Sequence, residues 1–141
     1  LSIDLMFGVP GQTIESWESR LRAALELKPE HISCYNLTYE EDTPYMERFR
    51  RGIYRQDNGL NESMFSFAED LLGAAGWHHY EISNYAKPGF ECRHNLAYWT
   101  GRDYLGIGTS AVSTVGGDRW KMAGGRRVTL ESLTPELRAR E

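Results

Sequence analysis

The chain has 141 residues, 40% of them hydrophobic and 12% aromatic, and a net charge of −4. That apolar content builds a packed core rather than a disordered tail. The acidic balance excludes a surface that coats nucleic acid, and the lack of any run of about 18 apolar residues excludes an apolar membrane span.

The first element is a strand, Leu1 to Phe7, already under way at the first residue. Gly8-Val9-Pro10-Gly11-Gln12-Thr13 follows as a turn. Thr13 is the expected N-cap of a helix, with Glu15 and Glu18 favoured near its positive end. Ile14, Trp17, Leu21, Ala24 and Leu25 recur at three- and four-residue spacing and mark one buried face, and Pro29 stops the helix near Lys28. His31 to Thr38 is rich in strand formers, so the order strand, helix, strand predicts a parallel βαβ unit. Ligands of such architectures sit at the carboxyl ends of the strands, which places Gly8 to Thr13 and Asn36 to Glu41 on the expected active face.

Thr43-Pro44 opens a short helix with Tyr45, Met46 and Phe49 as its inner residues. Gly52 to Leu60 reads as a polar connection. Asn61 is the expected cap of the next helix, whose buried stripe is Met64, Phe65, Ala68, Leu71, Leu72 and Ala75 and whose end is Gly76. Trp77 to Tyr85 reads as one strand, closed by Lys87-Pro88-Gly89. Arg93 to Gly101 reads as loop, and Tyr104 to Thr114 as a strand punctuated by glycines. The basic, Gly-rich sequence beyond Gly116 carries no clear signal, and the chain stops in a helix-like stretch without a cap. Starting and stopping inside elements predicts a chain truncated at both ends.

Among residues that carry chemistry, Asp4 stands out, because a carboxylate in an apolar strand must be hydrogen-bonded or lie at an open site. It either contacts hydroxyls or an amino group of a nucleotide-like ligand or ties down the following turn. His94-Asn95-Leu96-Ala97-Tyr98-Trp99 groups an imidazole with two amphipathic aromatics, a set able to ligate iron and line a flat macrocycle or simply to pack. Cys92 is a further possible thiolate ligand. Glu81 and Asn84 form either a polar strand face or a wall of the site. His78 and His79 alternate across a strand and cannot share a metal. Arg119, Lys121, Arg126 and Arg127 could pair porphyrin carboxylates, although a solvated surface explains them as well. Cys34 and Cys92 lie far apart, which gives neither a disulfide framework nor a metal-ligand spacing, and two such thiols fit a reducing cytoplasm. Gly106-Ile107-Gly108-Thr109-Ser110-Ala111 matches a dinucleotide-binding pattern, but its β-branched continuation makes a poor helix, so close backbone approach is the better account of its glycines.

Five ordered blocks spanning residues 3 to 113 resemble one family. Ile3-Asp4-Leu5-Met6-Phe7-Gly8-Val9-Pro10-Gly11-Gln12-Thr13 is similar to the D-L-I-x-G-L-P-x-Q-T strand and turn of HemN/HemW-type radical SAM proteins. His31 to Leu37 resembles their H-x-S-x-Y-x-L strand, and Tyr80 to Gly89 their Y-E-I-S-N-[FY]-A-[RK]-P-G block. Arg93 to Trp99 resembles R-H-N-x-x-Y-W, and Asp103 to Ser113 resembles D-Y-L-G-I-G-x-x-A-x-S. Cys92 and Val112 depart from the family pattern, which has a small Ser and, in the HemW version, a His at those positions.

The resemblance implies an α/β fold, the C-terminal part of a partial (β/α)₆ barrel comprising its fifth and sixth strands, followed by an α+β extension. It implies division into 1–40 (end of the barrel core), 41–117 (family-specific extension) and 118–141 (start of a truncated C-terminal region). It also implies S-adenosylmethionine and a four-iron–four-sulfur cluster as cofactors, with no cluster ligand in this chain. Asp4 corresponds to the family's S-adenosylmethionine contact, Thr38 and Val112 to the lining of that pocket, and His94 to a heme ligand. The implied function is that of a cytoplasmic heme-binding chaperone, with heme or a porphyrinogen and a heme-recipient protein as partners. The alternatives are a true oxygen-independent coproporphyrinogen III oxidase, which converts propionates to vinyls, and a Rossmann-type nucleotide-binding domain. Open barrel edges predict that this chain by itself is inactive and poorly folded.

Overall fold

The computed structural model describes residues 1–123 and 126–132, with side chains up to Met122. Two compact units divide at Glu91/Cys92.

In the first unit, β1 (Ser2–Phe7) pairs in parallel with β2 (His31–Asn36), from Ser2 opposite His31 to Phe7 opposite Asn36. Helix α1 (Ile14–Glu26) joins them, so the predicted βαβ unit is present. Thr13 caps α1: its hydroxyl accepts from Ser16 N at 3.3 Å, and its own N–H donates to Ser16 Oγ at 3.1 Å. The helix ends at its cap Leu27, and Lys28 turns left-handed at φ 51° before Pro29.

Helix α2 (Pro44–Arg50) has Thr43 as N-cap and no buried residue. Tyr45 and Phe49 were expected to face the core. Instead they gather with Tyr54 around Tyr39, at ring separations of 6.0 Å (Tyr45–Tyr39) and 5.3 Å (Phe49–Tyr39), as a local aromatic cluster. Helix α3 (Asn58–Ala74) starts three residues before the expected cap, because Asp57 accepts from Leu60 N at 3.0 Å. Asn61 is therefore inside the helix, and Ala75 is its exposed C-cap rather than part of the buried stripe. Gly76 closes the helix as expected, at φ 89°, a conformation that costs glycine nothing.

The single strand expected over Trp77 to Tyr85 is a hairpin. Strands β3 (His78–His79) and β4 (Asn84–Ala86) pair antiparallel around the turn at residues 80–83, giving a sheet of order β1-β2-β4-β3. Strand β4 also runs antiparallel to β2, which ends the parallel part of the sheet. One face of the sheet carries Ile3, Leu5, Phe7, Ile32, Cys34 and Tyr85 toward the helices. Trp17, Leu21, Met64, Ala68 and Leu72 meet them there with no exposed surface. Each large side chain so buried contributes about 1.5–3 kcal/mol. The Trp17 indole N–H donates to Met64 O at 2.9 Å, which removes its desolvation cost and ties α1 to α3. Helix α3 completes this core.

In the second unit, the stretch read as loop contains helix α4 (Arg93–Trp99). Strands β5 (Val112–Val115), β6 (Asp118–Ala123) and β7 (Arg126–Ser132) form an antiparallel sheet of order β5-β6-β7. No boundary at 117/118 separates them: Gly116 and Gly117, at φ 62° and 95°, make the tight turn that joins β5 to β6. The strand expected from Tyr104 is only a bridge from Tyr104 to Thr114, followed by an irregular loop to β5. No helix follows Gly106 to Ala111, so the Rossmann pattern lacks its context. A Cβ on Gly106 would lie 2.2 Å from Val112 O, so the glycine serves close backbone approach.

Candidate functional site

Alternation along β1 puts Ser2, Asp4 and Met6 on the face away from the helices. Register brings Asp4 beside Ser33 of β2 and Ser33 beside Asn84 of β4, one polar row across three strands. In the next row, His31 accepts from or donates to Ser2 Oγ at 3.1 Å and Tyr80 OH at 2.7 Å. Glu81 accepts from Ser83 N at 3.0 Å and from the Asn84 amide. Partial burial holds the His31 imidazole below its ordinary pKa, and the carboxylates of Asp4 and Glu81 oppose that shift.

Asp4 is exposed, and its carboxylate forms no hydrogen bond or ion pair among the described residues. It does not tie down the following turn. Gln12 does that, accepting from Val9 N at 3.3 Å and donating to Met6 O at 3.5 Å, with its own N–H on Val9 O at 2.9 Å. Sequence reasoning missed Gln12, although a glutamine inside a Gly-Pro-Gly turn is a signal for such a latch. The Asp4 carboxylate is open to solvent on that face of the sheet. An unpaired carboxylate suits the hydroxyl and ammonium donors of S-adenosylmethionine, so the residue fits that cofactor. Thr38 is exposed just past the end of β2.

His94 and Val112 lie in the second unit. His94 is exposed on the first turn of α4, edge-on to Tyr98 at 5.0 Å, and Tyr98 stacks on Tyr104 at 4.2 Å. With Trp99 also exposed, α4 presents an imidazole among flat aromatic surfaces. Val112 is half-buried, opposite Lys121. Arg119 and Lys121 lie on β6, whereas the side chains of Arg126 and Arg127 lie outside the described residues.

The residues present do not fit an iron–sulfur cluster. Among the described residues no three His, Cys, Asp or Glu side chains converge on a metal position. Cys34 is buried in the core, and burial pushes its thiol up to about 12, away from the thiolate form that ligation needs. Cys92 lies in the other unit, at the start of α4.

An open cleft of about 560 Å³ lies at the carboxyl ends of β1 and β2, on the helix-bearing side of the first unit. Phe7 and Phe65 form its apolar wall, and Asn36, Asn58, Asn61 and Glu62 its polar one. Asn36, which the sequence placed on the expected active face, lines it, whereas Asp4 and Thr38 do not. Among the described residues, no helix is long and apolar enough to cross a membrane.

No family model matches the chain. It is 39% identical to the heme chaperone HemW of Lactococcus lactis over 142 aligned residues, which covers all of this chain and 38% of that protein. It is 44% identical to the heme chaperone HemW of Escherichia coli over 114 residues (81% of the chain, 29% of the relative), and 46% identical to that of Haemophilus influenzae over 110 residues (78% and 28%). The chain thus spans well under half the length of these relatives. Among solved structures, it superimposes on Escherichia coli coproporphyrinogen III oxidase (HemN), described as a radical SAM enzyme, with a TM-score of 0.65 and 22% identity. That match covers 85% of this chain and 30% of the oxidase, a likeness of fold.

Proposed function

The chain belongs to the HemW-type family of radical SAM proteins, and from that premise we propose that the whole protein is a heme-binding chaperone that also holds S-adenosylmethionine. Asp4 accepts hydrogen bonds from the cofactor, and Thr38, also in the first unit, lines its pocket. His94 ligates heme iron through its exposed imidazole, and Tyr98 and Trp99 offer flat surfaces to the macrocycle. S-adenosylmethionine, when bound beside a reduced iron–sulfur cluster, supplies one-electron chemistry. The cluster itself is held by residues other than those described. Heme bound by the protein passes to a recipient protein in the cytoplasm.

The observation that carries this reading is the exposed carboxylate of Asp4 on the sheet face away from the core, without a partner among the described residues. Identity to heme chaperones along the whole chain supports it, and favours the chaperone over the oxidase. The test reconstitutes the full-length protein anaerobically and measures heme binding, heme transfer and coproporphyrinogen decarboxylation side by side. Stable heme binding with transfer and without decarboxylation is expected. Asp4→Asn should weaken S-adenosylmethionine binding about tenfold or more, the loss of a charge-assisted contact. His94→Ala should weaken heme binding and shift the Soret band. Decarboxylation without stable heme binding overturns the chaperone, and undiminished heme affinity in His94→Ala removes that residue from the site.

A further inference from the structure

The cleft at the ends of β1 and β2 lies on the opposite face of the sheet from Asp4. Phe7 and Asn36 occupy the last row of the parallel pair and share the helix-bearing face, whereas Asp4 alternates to the other side. Asn61 reaches the cleft from the second turn of α3. It is only 7% exposed, and its amide forms no hydrogen bond among the described residues. The amide borders the open cleft rather than being sealed from it, so its donor and acceptor are available to a ligand there.

Gly8 shapes the same corner. A Cβ there would lie 2.6 Å from Asn36 Oδ1 and 2.8 Å from Asn61 Oδ1, so only glycine, here at φ 73°, leaves both amide oxygens room. Three primary amides, of Asn36, Asn58 and Asn61, thus edge one cleft with the rings of Phe7 and Phe65 beside them. Each primary amide places a donor beside an acceptor, the pattern that reads the donor–acceptor edge of a heterocyclic base such as adenine. Aromatic walls suit the faces of such a ring. Among the described residues the only charged one lining the cleft is Glu62, and none is lysine or arginine, so they offer nothing to neutralise a phosphate. A volume of about 560 Å³ is that of a small-molecule site rather than of an extended polypeptide groove.

We propose that this cleft binds a purine nucleoside, with Asn61 and Asn36 reading the base edge and Phe65 its face. The site is separate from the Asp4 pocket and does not depend on the function proposed for it. Adenosine is titrated into the full-length protein by calorimetry, and melting curves are recorded for each variant. Saturable binding is expected, and Asn61→Leu and Asn36→Leu should each weaken it at least about tenfold, the loss of one well-made hydrogen bond. The melting temperature of Asn61→Leu should stay close to that of the parent, because the amide makes no hydrogen bond among the described residues that the substitution would break. With saturating S-adenosylmethionine present to occupy the Asp4 pocket, adenosine should still bind, and adenosine monophosphate should bind more weakly than adenosine. Failure of adenosine to bind, or equal affinity in Asn61→Leu, overturns the proposal. So does affinity that is lost in Asp4→Asn but kept in Asn61→Leu, since the nucleoside then occupies the Asp4 pocket and the earlier reading stands.

Discussion

Cys34 sits in the middle of β2 with 3% of its surface exposed, and burial pushes its thiol from an ordinary 9.0 up to about 12. The unfolded chain releases this proton near pH 9, whereas the folded protein keeps it. Between those values the folded state binds more protons, so stability falls as pH rises through that window and is unaffected by this group below it. Urea denaturation at pH 8 and pH 10.5 should therefore show a smaller alkaline loss for Cys34→Val than for the parent. An equal loss in both would mean that Cys34 is not the titrating group. The inward side of Cys34 follows from strand alternation, which sets it on the same face as Ile32. The partnerless carboxylate of Asp4 was not legible in the same way, because strand pattern says which residues are neighbours and not which of them make a bond.

At the scale of elements, local signals served where a side chain closes its own turn. Thr13 caps α1 through Ser16, and Thr13→Ala should cost about 1 kcal/mol. Thr13→Ser should restore most of that, as read from paired melting curves; a neutral Thr13→Ala would show that packing of Trp17 and Leu21 alone sets the helix start. Asp57 and Asn61 are both good capping residues, and sequence offered no reason to prefer one. The bond from Leu60 N to the Asp57 carboxylate, at 3.0 Å, decided it and starts the helix one turn earlier. The hairpin of β3 and β4 was read as one strand because Glu81-Ile82-Ser83 keeps strand-like alternation. The turn exists because Glu81 accepts from Ser83 and Asn84 while Ser83 O accepts from Cys34 N at 2.7 Å.

In the whole molecule, β1 stands at the edge of the first sheet, with β2 as its only partner among the described residues. Its free backbone groups are a template for another strand. This 141-residue chain should therefore self-associate as its concentration rises, followed by analytical ultracentrifugation, and should melt over a broad range. A purified monomer with a sharp cooperative transition would contradict that expectation.

The βαβ unit, its cap, its core stripe and the kinship of five ordered blocks were determined by the sequence alone, because each depends on spacing along one stretch of chain. Only the tertiary structure decided that residues 41–91 join the first core, that Asp4 faces outward without a partner, and that Asn36 and Asn61 converge beside Gly8. Those three features arise between residues far apart along the chain. Their physical cause is the packing of α3 against the sheet, a contact that no local pattern encodes.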